Sequence, residues 1–129
     1  MRVSVAARLC ALASILAITS ACAGQAASAA LSESAERGRE LFVGAGACRS
    51  CHSLEQDERI IGPSLYGVAS RAAERESDLS AEQYLHEAIT EPNKYIVAGF
   101  DGGLMPQTYA TKLSNVQIDD LVAYLLTLK

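Results

Sequence analysis

Cys48-Arg49-Ser50-Cys51-His52 sets two thiols three residues apart, with an imidazole directly behind them. On one helical turn, cysteines at that spacing project to the same side and reach the two vinyl groups of a single porphyrin. Each can close a thioether bond, and His52 then faces the iron through Nε2. This is the attachment pattern of c-type haem. Other chemistries use similar residues. A zinc site would draw on Cys48, Cys51, His52 and His86, the only histidines being the last two. The second paired ligand element of such sites is missing, and adjacent Cys51 and His52 rarely bind one ion. A redox dithiol belongs in a βαβ setting, of which the sequence has no pattern.

The elements that must hold this motif are helical. A first helix is predicted over 33–44, with Gly38, Leu41 and Phe42 on one side. A second starts at Ser80-Ala81-Glu82-Gln83, a capping box in which Ser80 and Gln83 satisfy free amides reciprocally. Leu79 and Tyr84 stand where a hydrophobic staple would close, and Pro92 ends that helix after Glu91. A third opens with the box Ser114-Asn115-Val116-Gln117. It carries Ile118, Leu121, Val122, Leu125 and Leu128 at helical spacing to the chain end. Residues 44–79 and 93–113 hold most of the glycines and two of the three prolines, and read as loops broken by short turns. No alternating strand pattern of useful length occurs, so the fold class is all-α, a small helical domain with long loops.

Composition agrees with one such domain. The chain has 129 residues, 50% of them apolar, 20% charged and 5% aromatic, which excludes a disordered chain and a large α/β enzyme. Its net charge of −4, without a basic run, argues against nucleic acid as a partner. A small domain that is largely loop buries little core, and such domains usually lean on a disulfide, metal or prosthetic group.

The first 21 residues are predicted to be a signal peptide. Arg2 and Arg8 flank a start without acids, and residues 9–18 form a short apolar run. That run falls short of the about 20 residues that span a bilayer. An uncleaved anchor would have to borrow the weakly lipophilic residues 19–30. Thr19-Ser20-Ala21-Cys22 is similar to the box at which bacterial lipoprotein precursors are cut, so Cys22 is the expected lipidation site; cuts after Ala23 or Ala29 compete. Residues 22–31 then read as a flexible tether, and 32–129 as the domain. An exported chain whose remaining cysteines are only Cys48 and Cys51 is no disulfide scaffold.

Residues 34–129 resemble the class I c-type cytochromes. Gly38 and Phe42 match the glycine and aromatic of that family's first helix, and Leu121 and Tyr124 the pair on its terminal helix. Gly62-Pro63-Ser64-Leu65-Tyr66-Gly67 is similar to its Gly-Pro-x-Leu-x-Gly loop. The resemblance implies a cytochrome c-like fold in which the terminal helices cross at Gly38. It implies a Pro63 carbonyl that accepts the Nδ1 proton of His52, Leu65 packed on the haem face, and Arg71 near a propionate. It also assigns the distal ligand to Met105, in Gly102-Gly103-Leu104-Met105-Pro106, the sole methionine besides the first residue; His86, on the second helix, is the rival.

With His52 and Met105 both on the iron, no open position remains for a substrate, and the metal can only change valence. The implied function is single-electron transfer in a respiratory or photosynthetic chain by one covalent haem c, without enzymatic turnover or a small-molecule substrate. Glu91 to Tyr109 and the terminal helix are similar to cytochrome domains that serve respiratory complexes, such as those of oxidases and alternative complex III. The implied partners are redox proteins or a membrane respiratory complex. A lipid on Cys22 would hold the protein in the periplasm or on the outer face of the cell membrane. The alternative is a haem enzyme or gas-binding sensor whose distal Met105 can be displaced. Glu55, Asp57 and Glu58, close behind the haem motif, are either ordinary solvated surface or an acidic patch that a basic partner surface would match.

Overall fold

A computed structural model describes residues 31–129. The signal segment 1–21, Cys22 and all but the last residue of the expected tether lie outside them. Helix α1, Glu33–Val43, starts where the Ser32 hydroxyl accepts a 3.2 Å hydrogen bond from the Ala35 amide. Glu33 and Glu36 in its first turn favour the positive end of the helix dipole. A single 3₁₀ turn follows at Cys48–Ser50. Helix α2 is Val68–Ala72, α3 is Ala81–Thr90, α4 is Tyr109–Lys112 and α5 is Asn115–Leu125.

Both predicted capping boxes are formed. The hydroxyls of Ser80 and Ser114 accept from the amides of Gln83 and Gln117, whose side chains accept from the two serine amides in return. Glu91, ahead of Pro92, has left helical geometry (φ −132°, ψ 58°), as the proline ring demands. Two details differ from expectation. The stretches read as loops contain α2 and α4, each too short to show a periodic pattern. The last helix stops at Leu125 instead of reaching the chain end. The Thr127 hydroxyl donates to the Tyr124 carbonyl, and the Ala69 amide draws the Leu128 carbonyl towards α2.

The core lies where α1, α3 and α5 meet. Phe42, Ile118 and Leu121 are fully enclosed, and Tyr84, Leu85 and Ile89 of α3 join them. Full burial of a side chain of that size contributes about 1.5–3 kcal/mol. Helices α1 and α5 make the most extensive contact in the fold. It is close because Gly38 has no side chain: a Cβ there would lie 1.9 Å from the Asp120 carbonyl oxygen and 2.8 Å from Tyr124 Cβ. One turn on, the Phe42 and Tyr124 rings pack at 5.4 Å between centres. The near-buried Asp120 carboxylate is held from α1 by Arg37, through Nε and a second guanidinium nitrogen at 2.8 Å each, and by the Ser34 hydroxyl.

Candidate functional site

Helix α1 delivers the chain to the motif through Gly44–Ala47. The Gly46 amide caps the Leu41 carbonyl, and a Cβ on Gly46 would sit 2.7 Å from that oxygen. Ala47, in left-handed geometry (φ 50°), then turns the chain into Cys48–Ser50. The amides of Cys51 and His52 both donate to the Cys48 carbonyl. That single turn brings Cys48, Cys51 and His52 to one cleft, the grouping expected from their spacing. The two thiols are free and half-buried. Burial pushes the Cys48 thiol up to about 11, so it is protonated at neutral pH.

The loop after the motif folds back on it. The amides of Ile61 and Gly62 donate to the Cys51 carbonyl, and the Leu65 amide to that of Ser53. This return sets Pro63 against the imidazole, where His52 Nδ1 donates to the Pro63 carbonyl at 2.8 Å. A carbonyl can only accept, so Nδ1 carries the proton and the lone pair is on Nε2. Burial lowers the His52 pKa, which keeps the ring neutral and its lone pair available. Gly62 is the other half of the seat. A Cβ on it would lie 2.5 Å from His52 Cε1 and 2.9 Å from Nδ1, so any side chain would displace the ring.

Met105 is half-buried and lines the same cleft. Its segment is shaped by Gly99 (φ +84°) and Gly103 (φ +79°), both in left-handed geometry where a Cβ would meet nothing within 4 Å. Asn93 Oδ1 accepts from the Gly103 amide at 2.7 Å, and the Tyr109 hydroxyl donates to the Gly46 carbonyl at 2.9 Å. The second bond ties the segment beyond Met105 to the turn ahead of Cys48. Leu65, Val68 and Leu85 give the cleft an apolar floor. Tyr84 and Tyr95, packed edge to face at 5.6 Å, supply an aromatic corner. The cleft is open on one side, and the empty space between its walls, open mouth included, is about 970 Å³.

Arg71 stands elsewhere. Its guanidinium donates to the carbonyls of Tyr66 and Ser64 and faces a second, polar hollow beside the cleft. His86 is half-buried on α3 and does not line the cleft. Among the described residues no group of three or more His, Cys, Asp and Glu stands close enough to hold a metal ion. Sequence reasoning missed Gly62 as the imidazole seat, Tyr109 as a tie across the fold, and Tyr84 with Tyr95 as cleft walls. Of these, Gly62, Tyr95 and Tyr109 lay in stretches already singled out for similarity to relatives, and Tyr84 did not.

The donor set fits a covalently held porphyrin. Two free thiols, a neutral imidazole with a fixed tautomer and a thioether share one apolar cleft, and Gly62 presents no side chain against the imidazole. A family model described as Cytochrome c matches residues 35–129, which takes in the chain from the first turn of α1 to its last residue.

Proposed function

The chain belongs to the cytochrome c family, and from that premise we propose that it is a one-electron carrier with His52 and Met105 as its axial ligands. Membership implies haem c bound through Cys48 and Cys51, and electron carriage in place of enzymatic turnover. The observation that carries the ligand assignment is the hydrogen bond from His52 Nδ1 to the Pro63 carbonyl, which leaves Nε2 free in the cleft that Met105 also lines. When bound, the haem iron supplies a centre that changes valence by one electron.

What the chain's own residues do follows from their surroundings. Pro63 orients His52 and raises its basicity. Met105 brings a soft thioether, which favours the ferrous state and raises the potential. Leu65, Val68 and Leu85 keep water from that side and disfavour the extra positive charge of the ferric state. With His52 and Met105 both held by the fold, little would have to rearrange between the two valence states. The test is the absorption spectrum of the oxidised holoprotein. A methionine–iron charge-transfer band is expected in the wild type and should vanish in Met105→Ala; a wild type without it overturns the assignment.

The same proposal extends to place and partners. The basic start and apolar run of residues 1–18 support export, and Cys22 supports a lipid anchor on the outer face of the membrane. No helix among the described residues is long and apolar enough to cross a membrane. Glu55 and Asp57, both exposed, support a basic redox partner, as a free protein or within a respiratory complex. Mass spectrometry of the mature protein from membranes tests the first part. It should report the haem adduct together with acyl chains on Cys22; an unmodified N-terminus beyond Cys22 refutes the anchor.

A further inference from the structure

The Arg59 guanidinium lies over the Phe100 ring, 4.1 Å from its centre. The two residues come from different arms of the site. Arg59 belongs to the loop between His52 and Gly62, and Phe100 to the segment that leads to Met105. Phe100 is half-buried and is a wall of the cleft; with Pro63 it also borders the polar hollow that Arg59 lines. The stack therefore sits at the edge of the cleft, where the two arms meet.

The rest of the Met105 segment is fastened differently. The bond from the Gly103 amide to Asn93 is internal to the segment, Lys94 paired with Glu87 and Tyr95 packed on Tyr84 fasten only its start, and Tyr109 fastens only the part beyond Met105. Between Asn93 and Met105, Gly99 and Gly103 both take left-handed geometry, and a Cβ on either would meet nothing within 4 Å. A segment with two such glycines needs an outside hold if its thioether is to stay in place. An exposed arginine on an aromatic face supplies one without burying a charge.

Resting on the reading that Met105 ligates the iron, we propose that Arg59 is a positioning residue for that ligand. By clasping Phe100 it joins the arm that bears His52 to the arm that bears Met105, and Met105 leaves the metal only when the stack parts. The contact thus lowers the population of the open form that an outside ligand can enter.

The experiment titrates the oxidised holoprotein with imidazole and follows loss of the methionine–iron band. Arg59→Ala and Phe100→Leu are each expected to bind imidazole about two- to fivefold tighter than wild type. Phe100→Tyr, which keeps the aromatic face, should bind as wild type does. Arg59→Ala placed on Phe100→Leu should add nothing, because the partner is already gone. Arg59→Gln keeps the length of the stem and repeats the measurement should the alanine variant lose its fold. Wild-type affinity in Arg59→Ala or Arg59→Gln overturns the role, as does a full effect of Arg59→Ala in the Phe100→Leu background. A wild type with no band overturns the ligand assignment itself, and the role with it.

Discussion

Gly38 and Asp120 approach so closely that a single methyl group between them would lie 1.9 Å from the Asp120 carbonyl oxygen. The contact is backbone against backbone, so no rotamer change can relieve it. It fixes how α1 crosses α5, and α1 runs into the cysteine turn after only Gly44–Ala47. The crossing is therefore part of the site's foundation, although it lies outside the cleft.

Gly38→Ala should destabilise the holoprotein by about 3 kcal/mol or more, the upper end for overpacking, because the obstacle is main chain. Urea unfolding followed by far-UV circular dichroism measures it. A loss below about 1 kcal/mol would mean that the helices part easily and that the close approach is incidental.

The Arg37 and Ser34 hydrogen bonds hold the Asp120 carboxyl below the usual carboxylate range. Its folded pKa is depressed, so its contribution is present above the unfolded value of about 3.9 and is lost as pH falls through the folded one. Arg37 stays charged throughout. Thermal midpoints of wild type and Asp120→Asn should diverge at neutral pH and converge as the pH drops below about 4. The difference between the two proteins is the quantity read, so that any other acid-induced loss, common to both, cancels. A gap that persists unchanged at low pH would show that the charge on Asp120 contributes nothing.

Gly62→Ala directs a Cβ at the imidazole, 2.5 Å from Cε1. The ring must tilt or the bond to Pro63 must lengthen, and either weakens the grip on iron. Loss of a supporting contact of this kind costs about 10- to 100-fold in metal affinity. The denaturant midpoint at which the low-spin haem spectrum disappears should fall accordingly. An unchanged midpoint with an unchanged spectrum would mean that the seat is looser than its geometry.

What could be read from sequence was what is local. The spacing Cys48-x-x-Cys51-His52 fits one turn, and each capping box closes over four residues, so neighbours in sequence carry the whole signal. The Gly38 crossing was legible only through likeness to relatives, since nothing near Gly38 in the chain names its partner. Polar ties between distant segments left no trace at all. Arg37 meets Asp120 across 83 positions and Tyr109 meets Gly46 across 63, and neither pair has a periodicity to reveal it. Arg71 is a different case. Likeness to relatives implies a propionate contact for it, and its guanidinium donates to the Ser64 and Tyr66 carbonyls of the loop just ahead of α2.

Met105→Ala and Met105→His separate the two jobs a distal ligand does. The thioether favours ferrous iron and also closes the sixth position. In Met105→His the position stays closed by a harder, more basic donor, so the potential should fall while carbon monoxide still binds poorly. In Met105→Ala the position opens, and the ferrous protein should bind carbon monoxide tightly without denaturant. The fall in potential should exceed about 59 mV in both variants, the span of a tenfold change for one electron. Spectroelectrochemical titration measures the potential, and the ferrous spectrum under carbon monoxide measures access. Tight binding of carbon monoxide by the wild type would point instead to a displaceable methionine, and so to sensing in place of carriage. A potential that stays put in both variants would remove Met105 from the iron altogether, since neither the hardness of the donor nor the openness of the site would then have reached the metal.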